Sequence, residues 1–220
     1  MKTRQEIKAL AKEAMAQQRG TAILIYVVLI LISLVGQLLV RLTDPNKVFI
    51  VFLGALIAIA AAFIEIVFAV GSQRAFIKIF KREHTSLGEV VSSLGVNFWR
   101  KLGGILWMVL WVCIWSLLFV IPGIVKSFSY LLTPYILADC PNVKATEALK
   151  LSMRMTKGHR CKLFVLYLSF IGWMLLSVLT LLILDIVYVG PYISTTMAGY
   201  YIELRDQALA SGAIKPEELQ

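Results

Sequence analysis

Residues 102–138, LGGILWMVLWVCIWSLLFVIPGIVKSFSYLLTPYILA, run for 37 positions with one charge, Lys126. A helix rising about 1.5 Å per residue needs about 20 residues to cross a hydrocarbon core of ~30 Å. The stretch is too long for one crossing and just long enough for two short ones. Ile121-Pro122-Gly123 divides it, because proline and glycine together interrupt a helix. A third span is therefore expected at about 102–120 and a fourth at about 124–138, the latter short and carrying both Lys126 and Pro134.

Working outward, further apolar runs lie on both sides. Residues 23–40 and 48–64 contain no charge, and the chain as a whole is 59% hydrophobic and 16% charged. Soluble domains hold about 25% charged residues, and their helices keep a polar stripe that these runs lack. The first two spans are expected at about 21–40 and 48–72, joined by the turn-forming Thr43-Asp44-Pro45-Asn46. The fifth falls at about 163–184. The sixth, at about 186–204, is interrupted at Gly190-Pro191. The first run is too long for a signal-peptide core and lacks a small-residue cleavage pattern, so it reads as a retained span.

Charge counting favours six spans. With the N-terminus in the cytoplasm, the first segment supplies Lys2, Arg4, Lys8, Lys12 and Arg19 to that side, and the next loop Arg74, Lys78, Lys81, Arg82, Arg100 and Lys101. The loop before the fifth span adds Lys144, Lys150, Arg154, Lys157, Arg160 and Lys162, and the tail adds Arg205 and Lys215. Only Arg41 and Lys47 fall outside, with Lys126 near the outer boundary: nineteen against two. That asymmetry is the one that orients membrane proteins. Fusing the third and fourth spans would place a basic loop outside and destroy it. Both termini are thus expected in the cytoplasm.

Each outward span follows an amphipathic segment. The first, 3–18, opens on the capping box Thr3-Arg4-Gln5-Glu6 and carries Ile7, Leu10, Ala11, Ala14 and Met15 at helical spacing. The second, about 86–95, repeats the device as Ser86-Leu87-Gly88-Glu89. The third, about 143–157, closes on Lys157 and Gly158. The expected fold is an all-α membrane protein of three hairpins, each preceded by a basic amphipathic helix lying in the headgroup layer. Lys150, Arg154 and Lys157 are candidate contacts to anionic lipid or a partner.

Ionisable residues within spans are costly and are candidates for a site, here Glu65, Lys126 and Asp185. On the expected topology Lys126 and Asp185 are placed to pair. The alternative is that Glu65 meets a cation on the cytoplasmic side while the other two reach outward to water. Helix breaks at Pro122, Gly123, Pro134, Gly190 and Pro191 free backbone groups that need internal partners, and Ser127, Ser129, Tyr130, Thr133, Ser194 and Thr195 are near in sequence. Ser194-x-x-x-Ala198, Thr195-x-x-x-Gly199 and Ala58-x-x-x-Ala62 are small-residue helix contacts, within the bundle or to a second copy.

No catalytic triad, phosphate-cradling glycine loop or paired catalytic carboxylates occur, so no enzyme activity is expected and no cofactor is implied. Cys140, His159 and Cys161 fit no zinc spacing and lack a fourth ligand, so no metal is expected. The net charge of +9 sits beside apolar runs and reads as membrane orientation, with nucleic acid excluded as a partner.

The stretch Ile121-Pro122-Gly123-Ile124-Val125-Lys126-Ser127-Phe128-Ser129-Tyr130, then Pro134-Tyr135-Ile136-Leu137-Ala138-Asp139, is distinctive. So is Glu147-Ala148-Leu149-Lys150-Leu151-Ser152, continuing to Met155-Thr156-Lys157-Gly158-His159 and Lys162-Leu163-Phe164. With Lys8-Ala9-Leu10-Ala11-Lys12, these resemble the bacterial integral membrane family catalogued as domain of unknown function 975. More distantly, the central pattern resembles the membrane region of some glycerophosphodiester phosphodiesterases, whose catalytic domain is absent from this sequence. The resemblance implies a bacterial cytoplasmic membrane and supplies no activity. The expected function is non-enzymatic, through membrane partners or anionic lipids, as an adaptor or envelope-stress factor. The alternative is a small transporter or lipid-translocating protein using Glu65, Lys126 and the broken fourth and sixth spans.

Overall fold

In the computed structural model, which describes residues 2–41 and 48–219, the first capping box forms as the sequence predicts. The Thr3 hydroxyl accepts the Glu6 amide at 3.3 Å, and the Glu6 carboxylate accepts the Thr3 amide at 2.7 Å. Helix α1 (Arg4–Gln17) follows, then α2 (Arg19–Arg41) and α3 (Val48–Phe80). The expected turn at Thr43-Asp44-Pro45-Asn46 lies outside the described residues.

α2 and α3 are antiparallel. At one end the Gln18 side chain donates to the Glu83 carbonyl at 2.7 Å, and further along Gly36 faces Ala61. That Gly36–Ala61 approach is the small-residue contact of the pair; Ala62, by contrast, is exposed. α3 has 33 residues and is about 50 Å long, well beyond the apolar thickness of a bilayer. Apart from the face that meets α2, its first half, from Phe49 to Ile64, is largely exposed, and its second half, including Phe68, Phe76 and Ile79, is buried in protein.

The second pair consists of α5 (Phe98–Leu118) against α6 (Val120–Tyr130) and α7 (Thr133–Asp139). The register is regular: the Lys126 ammonium lies over the Trp115 ring, Gly104 meets Leu137, and Arg100 bonds the Cys140 carbonyl. The chain reverses at Phe119, in extended conformation, rather than at Ile121-Pro122-Gly123. Pro122 instead sits in the first turn of α6, where a missing N–H goes unnoticed, and Gly123 admits the close approach of Ser116.

In the third pair, α9 (Arg160–Leu168) and α10 (Ile171–Leu179) run against a π-helical turn (Asp185–Val189) and α11 (Gly190–Ala210). Phe170 meets Tyr192 edge-on at 5.6 Å, and Trp173 meets Tyr188 at 5.7 Å. Gly190-Pro191 does not interrupt the segment. The Gly190 amide reaches back five residues to the Asp185 carbonyl, and this wider turn accommodates a proline that cannot donate.

Among the described residues, five helical stretches are long and apolar enough to cross a bilayer: Arg19–Leu39, Phe49–Phe80, Phe98–Leu118, Val120–Asp139 and Arg160–Leu179. The chain is thus an all-helical, multi-pass membrane protein, with no strand among the described residues. The expected sixth span is helical but is not one of these five. α11 is the central helix of the bundle, burying Thr195, Thr196, Ala198, Gly199 and Tyr201, and a helix enclosed by protein needs no apolar face for lipid. Gly199 lies against the Phe80 ring, so the Thr195-x-x-x-Gly199 face serves packing within the chain.

The amphipathic helices also differ from expectation. α1 buries Ile7, Ala11, Ala14 and Met15 against α3 and α11. α8 (Ala145–Met155) buries Ala148, Leu149, Leu151, Ser152 and Met155 against α5, α6 and α7. The second is reduced to α4 (Leu87–Ser92), seated on α3. Helical amphipathicity is the same whether the apolar face meets lipid or protein, and here protein covers the faces of α1 and α8. Gly158 ends the α8 segment in left-handed conformation (φ 83°), as its position predicts.

Candidate functional site

The three ionisable residues singled out in the spans have separate surroundings. Glu65, half-buried on α3, has no hydrogen bond or ion pair among the described residues. Asp185 accepts the Tyr26 hydroxyl at 3.2 Å, which joins α2 to the π-helical turn before α11. Lys126 does not pair with Asp185: its ammonium lies 5.0 Å from the Trp115 ring, 5.7 Å from the Tyr130 ring and 3.9 Å from the Met153 sulfur. Aromatic faces and a thioether thus surround this cation in place of a carboxylate.

The break in the fourth span is resolved from another helix. α6 ends at Tyr130 and α7 begins at Thr133, with Pro134 in its first turn. The Leu132 amide donates to the Ser152 hydroxyl at 3.2 Å, and that hydroxyl donates to the Ser129 carbonyl at 2.8 Å. Thr156 also donates to the Ser129 carbonyl, at 3.2 Å. Ser152 and Thr156 are fully buried and belong to the α8 segment. The span's own Ser127 and Ser129 hydroxyls bond carbonyls one turn back and do not bridge the break.

Of the candidate lipid contacts, Lys150 and Lys157 are exposed, whereas Arg154 is occupied. Its guanidinium grips Glu218 through two bonds, at 2.7 and 3.3 Å, and fastens the C-terminal segment to α8.

A further cluster, counted in the sequence only toward charge asymmetry, surrounds a cavity of about 320 Å³ between α3, α4 and α5. Arg74 and Lys78 stand one helical turn apart on α3 and so share a face. Arg100 and Lys101 enter from the first turn of α5, and Glu89 from α4. Four cations face one carboxylate. Gly71 lets α4 settle onto α3, since a side chain there would strike the Ser93 hydroxyl.

Part of this charge is structural. The Arg100 guanidinium caps the end of α7, bonding the Leu137, Cys140 and Val143 carbonyls. Lys101, only 5% exposed, donates to the Ser93 carbonyl just past α4. Cations are favoured at such helix C-termini. Other donors remain over: the Arg100 Nε is buried without an acceptor, and Arg74 has no hydrogen bond or ion pair among the described residues.

Glu89 shows how the cluster acts on an anion. The second capping box forms by half: the Ser86 hydroxyl accepts the Glu89 amide at 3.4 Å, but the carboxylate does not return to Ser86. It turns to Lys78 at 2.7 Å and to the Thr85 hydroxyl at 3.3 Å. The hydrogen-bonded Lys78 ammonium is the main cause that holds the Glu89 carboxyl below the usual carboxylate range. The spacing of Arg74 and Lys78, with a glycine one residue short of a turn before Arg74, was the available sequence signal for this cluster.

Residues 106–208 match a family model described as Protein of unknown function (DUF975). No curated protein and no solved structure matches. The looser likeness to the membrane region of glycerophosphodiester phosphodiesterases is not part of the match. The matched stretch contains the whole Ser129–Leu132–Ser152–Thr156 arrangement, whereas the four cations of the cavity precede it.

Proposed function

Because the chain belongs, over residues 106–208, to a family of unknown function, no activity passes to it from relatives, and we propose a reading from its own chemistry. It is a non-enzymatic protein of the bacterial cytoplasmic membrane with both termini in the cytoplasm. It acts by engaging anionic lipid at its basic end, as an adaptor for membrane partners or an envelope-stress factor. The observation that carries this reading is the cationic cavity of Arg74, Lys78, Arg100 and Lys101, to which the exposed Lys150 of α8 and Lys157 just after it add further cations. Cations beside apolar spans attract anionic headgroups, by about 1 kcal/mol for each Lys or Arg near the surface.

The test is native mass spectrometry of the whole chain released from nanodiscs of mixed phosphatidylglycerol and phosphatidylcholine. Preferential retention of phosphatidylglycerol is expected, weakened when Lys150, Arg154 and Lys157 are all changed to Ala. Equal retention of both lipids would remove the proposal. Translocation gains less support, because Glu65, Lys126 and Asp185 have separate surroundings and do not form one polar site. Loss of flux in Glu65→Gln or Lys126→Ala proteoliposomes, with equal retention of both lipids, would favour it instead.

A further inference from the structure

We propose that the cavity between α3, α4 and α5 is a binding site for a phosphate oxyanion, anchored by Arg74 and Lys101. In the unliganded protein the Glu89 carboxylate partly fills the anion's role. The inference rests on the reading that this end of the protein engages anionic ligands, and it names the site and the chemistry.

Three observations converge. The first is a surplus of donors. An ammonium has three N–H groups, and Lys101, nearly enclosed at the cavity wall, has one acceptor, the Ser93 carbonyl. Arg74 has none among the described residues, and the Arg100 Nε is buried and unpaired. Buried donors are nearly always paired in folded proteins, so the Arg100 Nε calls for an acceptor, and the unpaired Arg74 guanidinium at the exposed rim can bind the same group. A phosphate supplies at least two acceptor-only oxygens.

The second is charge. Arg74, Lys78, Arg100 and Lys101 against Glu89 leave a net +3 around about 320 Å³. That volume is at the lower end of small-molecule sites. The third is Glu89 itself. Its carboxylate abandons the reciprocal half of a capping box to bond Lys78 and Thr85, so the cluster already draws in an anion from its own chain. A phosphate would compete for Lys78.

Position also fits. The apolar part of α3, with Glu65 its one charge, runs to Gly71, and the next charges are Arg74 and Lys78. The cavity therefore stands at the end of an apolar span, the depth at which headgroup phosphates lie. The oxyanion belongs either to such a headgroup or to a soluble phosphate, and the two arms below separate them.

The experiment uses the full chain. In one arm, retention of phosphatidic acid and phosphatidylglycerol against phosphatidylcholine is read by native mass spectrometry from nanodiscs. In the other, inorganic phosphate is titrated calorimetrically into protein in a neutral detergent. Arg74→Gln, at an exposed side chain without a partner, preserves the fold and is expected to weaken binding about tenfold or more, the loss of one charged hydrogen-bonding group. Glu89→Gln is expected to strengthen it several-fold by removing the competing charge. A response of both variants in the lipid arm alone assigns the phosphate to a headgroup. A response in the titration assigns it to a soluble phosphate. Either result upholds the site. Wild-type behaviour of both variants in both arms overturns it. If the Lys150, Arg154 and Lys157 replacements still lower phosphatidylglycerol retention, the lipid reading survives and only the cavity is lost.

Discussion

Replacing Ser152 with Ala should destabilise the protein more than removing any hydroxyl within the broken span itself. Ser152 accepts the Leu132 amide at 3.2 Å and donates to the Ser129 carbonyl at 2.8 Å, and it is completely buried. Alanine removes both bonds. The Thr156 hydroxyl stands 3.2 Å from the Ser129 carbonyl and can turn to it from its nearer acceptor, the Ser152 carbonyl at 2.8 Å. The Leu132 amide keeps nothing in its place, and a buried unsatisfied donor costs about 1–3 kcal/mol. Hydrogen bonds between side chains of membrane helices average only about 0.6 kcal/mol, since the unfolded state also finds partners. A backbone amide at a helix break has fewer substitutes, so about 2 kcal/mol is expected. Ser127→Ala is the control. Its hydroxyl bonds the Gly123 carbonyl one turn back in the same helix, and its loss should cost under about 0.5 kcal/mol. Reversible unfolding in mixed micelles, with rising denaturing detergent, reads both. If Ser152→Ala unfolds no more easily than Ser127→Ala, then α8 does not satisfy the break and the account of the fourth span is wrong.

Other perturbations probe the remaining joints in the same assay. Gly190→Ala drives a Cβ into the Tyr26 ring and disturbs the Tyr26–Asp185 bond between α2 and the π-helical turn, so a loss of about 1–3 kcal/mol is expected. Leu182→Gly should instead stabilise by about 0.5–1 kcal/mol, because Leu182 is held at φ 66° beside Leu181 at φ 51°, where a branched side chain is strained and glycine is not. Glu218→Gln frees Arg154 from the C-terminal segment; an exposed pair of this kind contributes at most about 1 kcal/mol, so unfolding should hardly change. The released cation should raise phosphatidylglycerol retention, and unchanged retention would show that Arg154 takes no part in lipid contact.

Hydropathy and charge made the paired spans legible because both are properties of single segments. Residues 102–138 had to fold back on themselves whatever else the chain did, and the Trp115–Lys126, Gly104–Leu137 and Arg100–Cys140 contacts show that they do. The exact reversal point was less legible, since Pro122 is as content in the first turn of a helix as between two helices, and the turn went to Phe119. The amphipathic helices were found, but sequence alone does not say what covers an apolar stripe. In α1 and α8 it is protein. The site was the least legible, because it depends on α3, α4 and α5 converging. Arg74, Lys78, Arg100 and Lys101 look like ordinary orienting cations until Glu89 is seen to leave its capping box for one of them.

The short fourth span raised the difficulty that non-helical backbone in an apolar layer must be satisfied by something other than water. Nearby hydroxyls within the span were the expected remedy. The structure instead spends Ser152 and Thr156 of the α8 segment, which explains why α8 cannot lie as a free helix among headgroups: its buried face carries the donors and acceptor that the break requires. The same logic links α7 to α11, where Asp139 accepts both the Tyr201 hydroxyl at 2.9 Å and the Arg205 guanidinium at 2.8 Å. All of these partners fall within residues 106–208, so the stretch matched to the family contains the broken span together with what repairs it. The cations of the cavity lie before that stretch, and Arg100 joins them to it through the Leu137, Cys140 and Val143 carbonyls. Stability of the broken span and capture of an anion are therefore separable: Ser152→Ala should weaken the first without removing the donors of the second, and Arg74→Gln should do the reverse.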